Sequence, residues 1–286
     1  MSNSINKIGI MNGRLSEPLG TKIQEFPYMT WRDEFVKASD YGFESIEWIF
    51  DTYLQNPIMN IDGIKKLKQL SKQYDITINS VLADFFMEKK LTNVSQTELE
   101  KNLDILKKLI KNCNALDVEI LEIPFVDSSS LQTKSDQYNV RINLESVLKL
   151  LDEYNLCLCL ETDLPPIEFR DFLLSFEHPN IKANYDVGNS AGLGYDMQEE
   201  FENFGKLITN VHIKDRKYSG NTVPLGTGNV DFQLFFELLK QNNYSGDFII
   251  QGAREAGIDS DETAKKYLKF VKELVDKYLS NDSNNQ

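Results

Sequence analysis

Short apolar runs alternate along this chain with longer segments in which apolar residues recur at three- and four-residue intervals. The short runs fall near residues 7–11, 44–50, 76–83, 117–124, 156–161, 181–187, 207–213 and 247–251, and their near-continuous apolar character fits strands buried on both faces. Eight segments of helical spacing are interleaved with them: WRDEFVKASDYG, IDGIKKLKQLSKQY, SQTELEKNLDILKKLIKNC, VRINLESVLKLLDEY, PPIEFRDFLLSF, YDMQEEFENFG, DFQLFFELLKQ and DETAKKYLKFVKELVDKYL. Helix-start signals agree: Thr30 before Trp31, Ser95 with Glu98 three residues on, Pro165 and Pro166 opening a first turn, and Asp231 ahead of an apolar run. Strand and helix alternate throughout, which predicts a single (β/α)8 TIM barrel, with an open doubly wound sheet as the alternative. No linker rich in Pro, Gly or Ser divides the chain, so residues 1–278 are expected to form one barrel and 279–286 a flexible tail.

In such a barrel the C-terminal ends of the strands converge on one mouth, where active-site side chains sit. Four polar residues close apolar runs: Glu161 in LCLCLE, Asp186 in IKANYD, His212 in ITNVH and Gln251 in GDFIIQ, spaced 25, 26 and 39 residues apart. Two carboxylates, an imidazole and an amide oxygen form a hard donor set that suits Mn²⁺, Mg²⁺ or Co²⁺ and accommodates Zn²⁺. His212 is the sharpest member, because the chain has two histidines and this one lies inside an apolar strand. The other strand ends are polar as well: Asn12 and Arg14, then Glu47, Trp48 and Asp51, then Asp84, Glu122, Asp127, Asp163 and Asn189, and finally Lys214, Asp215, Arg216 and Arg254. Arg14, Lys214, Arg216 and Arg254 follow strands one, seven and eight, which meet when a barrel closes. They are candidates to bind an anionic group such as a phosphate, the alternative being pairing with the chain's many acids. Trp48 is a candidate stacking surface for a ligand, and Asp84 and Asn189 are candidates to contact the same molecule.

Charge narrows the partners. With 31 basic and 44 acidic side chains the formal charge is −13, so the overall field repels phosphate backbones and nucleic acid is not expected as a partner. Three cysteines, two of them (Cys157 and Cys159) sharing one strand face, read as reduced packing in a cytoplasmic protein. The N-terminal segment lacks the apolar core of a signal peptide, and no run approaches 18 apolar residues, so no membrane association is expected. Gly226 and Gly228 lack the companions of a dinucleotide or P-loop fingerprint and read as a turn feeding the Asp231 cap, with no nucleotide cofactor implied. GNSAGLG after the sixth strand reads as a flexible loop, and His178 as an exposed turn residue.

GFESIEW at the second strand, CLCLETD at the fifth, NYDVGN at the sixth, VHIKDR at the seventh and PLGTGNVDF beyond it occur in that order over almost the whole chain. Together they resemble the xylose isomerase-like TIM-barrel superfamily, specifically its sugar (phosphate) isomerase/epimerase members. The resemblance implies that Glu161, Asp186 and His212 hold a divalent metal, Mn²⁺ foremost, with the residue ending strand eight as fourth ligand. That residue is glutamate in the family and Gln251 here, in FIIQGAR. Family epimerases use the glutamates of strands five and eight as two bases on opposite faces of an enediolate. A carboxamide still ligates through its oxygen but has no titratable proton near neutral pH. The resemblance therefore implies Glu161 as the base, with Glu122, Asp84 and Asp215 as candidates for the missing second group. The expected activity is metal-dependent isomerisation or epimerisation of a ketose or sugar phosphate through an enediolate. A keto-polyol dehydratase, which needs one base, and a non-catalytic metal- or sugar-binding barrel are the alternatives. An apurinic-type endonuclease shares the barrel, but its histidine-rich three-zinc chemistry does not fit two histidines and a net negative charge. Relatives often pair through barrel-face helices and loops, which implies a possible homo-oligomer.

Overall fold

A computed structural model describes residues 6–18, 20 and 24–279. Eight parallel strands close into a barrel in sequence order: β1 (Ile8–Met11), β2 (Ser45–Ile49), β3 (Ser80–Leu82), β4 (Ile120–Phe125), β5 (Cys157–Thr162), β6 (Ile181–Asp186), β7 (Ile208–Ile213) and β8 (Phe248–Ile250). The ring closes where Gly9 of β1 pairs with Ile249 of β8. The outer layer is built from α1 (Asp33–Tyr41), α2 (Ile61–Tyr74), α4 (Gln96–Ala115), α5 (Lys134–Tyr154), α6 (Pro166–Leu174), α8 (Met197–Phe204), α9 (Phe232–Gln241) and α10 (Ser260–Tyr278). Two short helices, α3 (Phe85–Glu88) and α7 (Val187–Leu193), are inserted after β3 and β6. The single (β/α)8 barrel read from the sequence is the fold observed. None of the described helices is long and apolar enough to cross a membrane. The proposed tail lies, apart from Leu279, outside the described residues.

Several start signals act as read: Ser95 and Asp231 accept amide hydrogens from Glu98 and Leu234, and Pro166 opens α6. Thr30 does not, because its hydroxyl bonds Ser16 in the loop after β1 and the helix begins at Asp33. The third strand is shorter than its apolar run, since Ile76 and Ile78 are buried in the outer core ahead of the paired residues Ser80–Leu82. GNSAGLG is not a flexible loop: it forms most of α7, and Gly188 and Gly192 let that helix lie against Lys214 and Arg216. His178 is partly buried, 3.3 Å from Asp152.

Strand residues alternate between two environments. Outward-facing residues such as Trp48, Val81, Leu121, Leu160, Tyr185 and Val211 join one large core with the helices. Inside the barrel, a Cβ on Gly9 would meet side chains of both β2 and β8. Met11, Ile49, Leu82 and Ile249 form a separate small apolar cluster. The other interior positions are polar and buried: Glu47, Glu122, Glu161, Asn184, Asp186, Asn210 and His212. The barrel interior is thus apolar where Met11, Ile49, Leu82 and Ile249 meet and polar along β4 to β7 and at Glu47 of β2, and the polar part holds the candidate donor set.

Candidate metal centre

Period-two alternation puts Glu161 two residues beyond Cys159, Asp186 beyond Asn184, His212 beyond Asn210 and Gln251 beyond Ile249, all on the inner face at the C-terminal rim. Register aligns them: Asp186 lies opposite His212 across β6 and β7. One carboxylate oxygen from Glu161, one from Asp186 and a ring nitrogen of His212 lie within 4.8 Å of one another. Asn189 donates to Glu161 Oε1 at 2.6 Å, and Asn184 donates to Oε2 at 3.0 Å. Asp186 caps α7 by accepting the Asn189 amide hydrogen at 2.8 Å, so the helix that positions Asn189 is started by a member of the donor set. Gln251 Oε1 lies 3.4 Å from the Lys214 ammonium, which is also 3.1 Å from Asp186 Oδ2. The Gln251 amide nitrogen donates to Gln24 Oε1 at 2.7 Å and approaches Met11 Sδ at 3.2 Å.

These residues fit a hard dication. Oxygen and imidazole donors converge from three neighbouring strands, and a cation, the Lys214 ammonium, already sits against the Asp186 and Gln251 oxygens. The far side of the His212 ring is fixed as well. Its Nε2 lies 2.7 Å from Glu47 Oε2 and 3.2 Å from Glu122 Oε2, leaving Nδ1 turned toward Glu161 Oε2 at 3.9 Å. A ring whose Nε2 hydrogen is held by a buried carboxylate presents its Nδ1 lone pair to a metal, the usual outer-shell arrangement around ligating histidines. Asn210 and Asn184 donate to Glu47 and Glu122 at 2.9 and 3.0 Å. Burial opposes charge on His212, but Glu122 and Glu47 outweigh it and hold its pKa well above the ordinary value. Burial pushes Glu47 up, yet the imidazolium beside it wins and keeps that carboxyl below the usual range. Burial also lifts Glu122, and the His212 charge only partly offsets this, so its pKa lies well above the carboxylate range.

Above the donor set opens a cavity of about 280 Å³ lined by Arg14, Gln24, Asp84, Glu161, Asp186, Asn189, Lys214, Arg216 and Gln251, with Leu82, Met87, Pro124 and Val126 as its apolar wall. The structure therefore brings together nine of the candidate residues, Arg14, Asp84, Glu161, Asp186, Asn189, His212, Lys214, Arg216 and Gln251, from the ends of six strands. Burial and the neighbouring Arg254 guanidinium pull Arg14 down to about 10, so it stays cationic at neutral pH. Arg216 is anchored by Gly220 O and by Asn189 Oδ1 at 3.0 Å, linking it to Glu161 through one side chain.

Four expected residues lie elsewhere. Trp48 faces outward because its neighbour Glu47 faces in; it packs on Phe26, Trp31 and Phe35 and donates to Asn56, with no reach to the cavity. Glu122 sits on the Nε2 side of His212, beneath the donor set, and does not line the cavity. Asp215 turns away to accept the amide hydrogens of Gly228 and Val230, which is why PLGTGNVDF needs a glycine where a Cβ would strike that carboxylate. Arg254 donates to Gly13 O, Ser16 O and Ser260 Oγ, stapling the loop after β1 to the start of α10. Glu47, Asn184 and Asn210 carried no assigned role in the sequence, although polar residues two positions before strand-end ligands share their face. Gln24 had no such signal, because it lies in a loop that only folding brings across the mouth.

Known proteins share this architecture. The family model described as xylose isomerase-like TIM barrel matches residues 35–274. L-ribulose-5-phosphate 3-epimerase UlaE of Escherichia coli is 26% identical over 268 residues, covering 89% of this chain and 94% of that protein. A solved structure of L-ribulose 3-epimerase superposes with a TM-score of 0.78 at 16% identity, covering 99% of this chain and all of the other. D-allulose 3-epimerase from Methylomonas sp., solved with D-allulose, gives a TM-score of 0.74 at 20% identity over 94% of this chain and 96% of its own. With the family model spanning most of its length, this chain belongs to the xylose isomerase-like TIM-barrel family.

Proposed function

We propose that this chain is a divalent-metal-dependent isomerase or epimerase of a ketose or ketose phosphate. The observation that carries the reading is the convergence of Glu161, Asp186 and His212 donor atoms within 4.8 Å at the floor of a polar cavity. The relatives that cover most of this chain bear the names of sugar epimerases. Glu161, Asp186 and His212 would hold the metal, with the Gln251 amide oxygen at its edge, and Mn²⁺ suits the set. A dication there supplies Lewis-acid stabilisation of negative charge developing on adjacent substrate oxygens. Glu161 takes the proton from the carbon beside the carbonyl, leaving an enediolate. The amide donors of Asn184 and Asn189 keep that carboxylate aimed, and Leu82, Met87, Pro124 and Val126 give the cavity an apolar wall. Arg14, Lys214 and Arg216, all on the cavity wall, favour a substrate carrying a phosphate. The acidic chain with its free cysteines fits a reducing, cytoplasmic setting.

The test is proton exchange in deuterated water by the Mn²⁺-loaded protein, with L-ribulose 5-phosphate and D-allulose as probes. Label is expected at the carbon beside the carbonyl, with Glu161→Gln slowing conversion of the probe to product by about 10²–10⁴-fold. Bound Mn²⁺ with no exchange on any probe would count for a non-catalytic binding barrel. One observation favours a second reading: Gln251 cannot act as a base, which suits a keto-polyol dehydratase, and a product lighter by one water would identify that reaction.

A further inference from the structure

The strand-eight position that would carry a second acid–base group holds the Gln251 carboxamide, so a two-base reaction needs its second group from another wall of the cavity. Among the described residues, four carboxyl groups line it: Asp84, Asp127, Glu161 and Asp186. Glu161 and Asp186 belong to the donor set, and Asp186 also caps α7 and pairs with Lys214. Asp127 lies exposed on the 3-10 turn Asp127–Ser129, at the outer rim of the cavity. Lys214 is held on Asp186 and Gln251, and the planar guanidinium groups of Arg14 and Arg216 are suited to binding an anionic group.

Asp84 differs from all of these. It lies at the end of β3, half-buried, two strands from Glu161 and facing the same space. Gln24 donates to its Oδ2 at 2.5 Å, and the same Gln24 side chain accepts the Gln251 amide hydrogen at 2.7 Å. One carboxamide thus holds the β3 acid and the β8 amide in fixed relation, while Asp84 Oδ1 takes no hydrogen bond from a described residue and is left for a ligand. We infer that Asp84 is the second proton-transfer residue of this site, acting opposite Glu161 in place of the strand-eight carboxylate. Burial lifts its carboxyl to about 7; the Gln24 hydrogen bond opposes this and the Glu161 and Asp51 charges reinforce it, so both protonation states are accessible at neutral pH.

The inference rests on the isomerase/epimerase reading. In the forward step the C–H bond beside the carbonyl breaks, its proton bonds to the Glu161 carboxylate, and its electron pair moves into the enediolate. The O–H bond of neutral Asp84 then breaks, its proton forms the new C–H bond on the other face, and its electron pair stays on the Asp84 carboxylate as the carbonyl re-forms. Glu161 and Asp84 finish with exchanged protonation states and reset through cavity water. In the reverse direction Asp84 is the base.

The experiment compares wild type, Asp84→Asn and Glu161→Gln, each Mn²⁺-loaded in deuterated water, starting separately from D-allulose and from D-fructose, its C3 epimer, and likewise from L-ribulose 5-phosphate and its C3 epimer. Each variant should keep deuterium incorporation from one epimer only, and inversion should fall by at least 100-fold in both. Inversion within twofold of wild type in Asp84→Asn overturns the assignment of Asp84 and leaves the function standing. So does an equal loss of exchange from both epimers. Wild-type rates in Glu161→Gln would instead overturn the proposed function. A readout independent of turnover is the carboxyl ¹³C resonance that Asp84→Asn removes from the metal-free protein: titration near neutral pH is expected, and titration below about pH 5 overturns the inference.

Discussion

At the residue scale, the chemistry depends on buried polar groups that never touch the cavity. Glu47 holds Nε2 of His212 at 2.7 Å, and Asn210 in turn donates to Glu47 at 2.9 Å. Such partners orient a ligating imidazole, and losing one typically costs ten- to hundredfold in metal affinity. Glu47→Gln keeps the shape but removes the charge, so we expect Mn²⁺ affinity to fall by about 10- to 100-fold in a calorimetric titration. An unchanged dissociation constant would show that Asn184 and Glu122 orient the ring without it. Glu47 stands out in SIEWI as the charged member of an otherwise apolar strand, so a buried role was legible. Its partner on β7 was not, because which strands face each other across a barrel is decided by closure. The same alternation argument corrects Trp48: with Glu47 facing in, its neighbour must face the helices.

At the element scale, α7 links the proposed metal ligand Asp186, the proposed base Glu161 and the cations that follow β7. It starts on Asp186, carries Asn189 to Glu161, and packs its glycines on the segment after β7. A Cβ on Gly188 would stand 2.8 Å from the Lys214 backbone carbon, and backbone cannot yield as a flexible side chain would. Gly188→Ala should therefore shift α7 and destabilise the fold by about 1–3 kcal/mol in urea unfolding, with Glu161-dependent exchange reduced beyond what stability explains. A midpoint and exchange rate like those of wild type would mean that β7 and its loop move aside freely. The helix escaped the sequence reading because GNSAGLG has three glycines, weak helix formers, in seven residues. The Asp186 cap and the Schellman-type ending at Gly194, whose φ is +79°, supply from outside what local propensity lacks.

At the scale of the whole molecule, the polar content of the interior makes stability depend on pH. Glu200 is buried against Tyr185 and Ser190 behind the donor set; burial lifts it to about 7, and its two hydrogen bonds only partly offset this. Below about pH 4.5 the carboxyl is neutral whether the chain is folded or unfolded. From there up to about 7 the unfolded chain ionises while the folded one keeps its proton, so stability falls as pH rises and the loss is complete above 7. The change is on the order of 3 kcal/mol, and Asp84 adds a contribution of the same sign. Glu200→Gln should flatten the decline in urea midpoint between pH 5 and 8 in part, and an undiminished slope would place the effect elsewhere.

The amino-acid sequence by itself determined the barrel, because eight apolar runs alternating with eight amphipathic segments leave few ways to bury both faces of every strand. It also determined the inner face at each strand end, and so the grouping of Glu161, Asp186, His212 and Gln251, since the period of two is local and strand order follows chain order. Only the tertiary structure decided what lies between those ends. Closure set Glu47 and Glu122 against one nitrogen of His212, folded the loop after β1 so that Gln24 ties Asp84 to Gln251, and turned Asp215 and Arg254 into loop staples. Those choices follow from where buried donors and acceptors find partners across the fold, and hydrogen-bond satisfaction over that distance has no periodic trace along the chain.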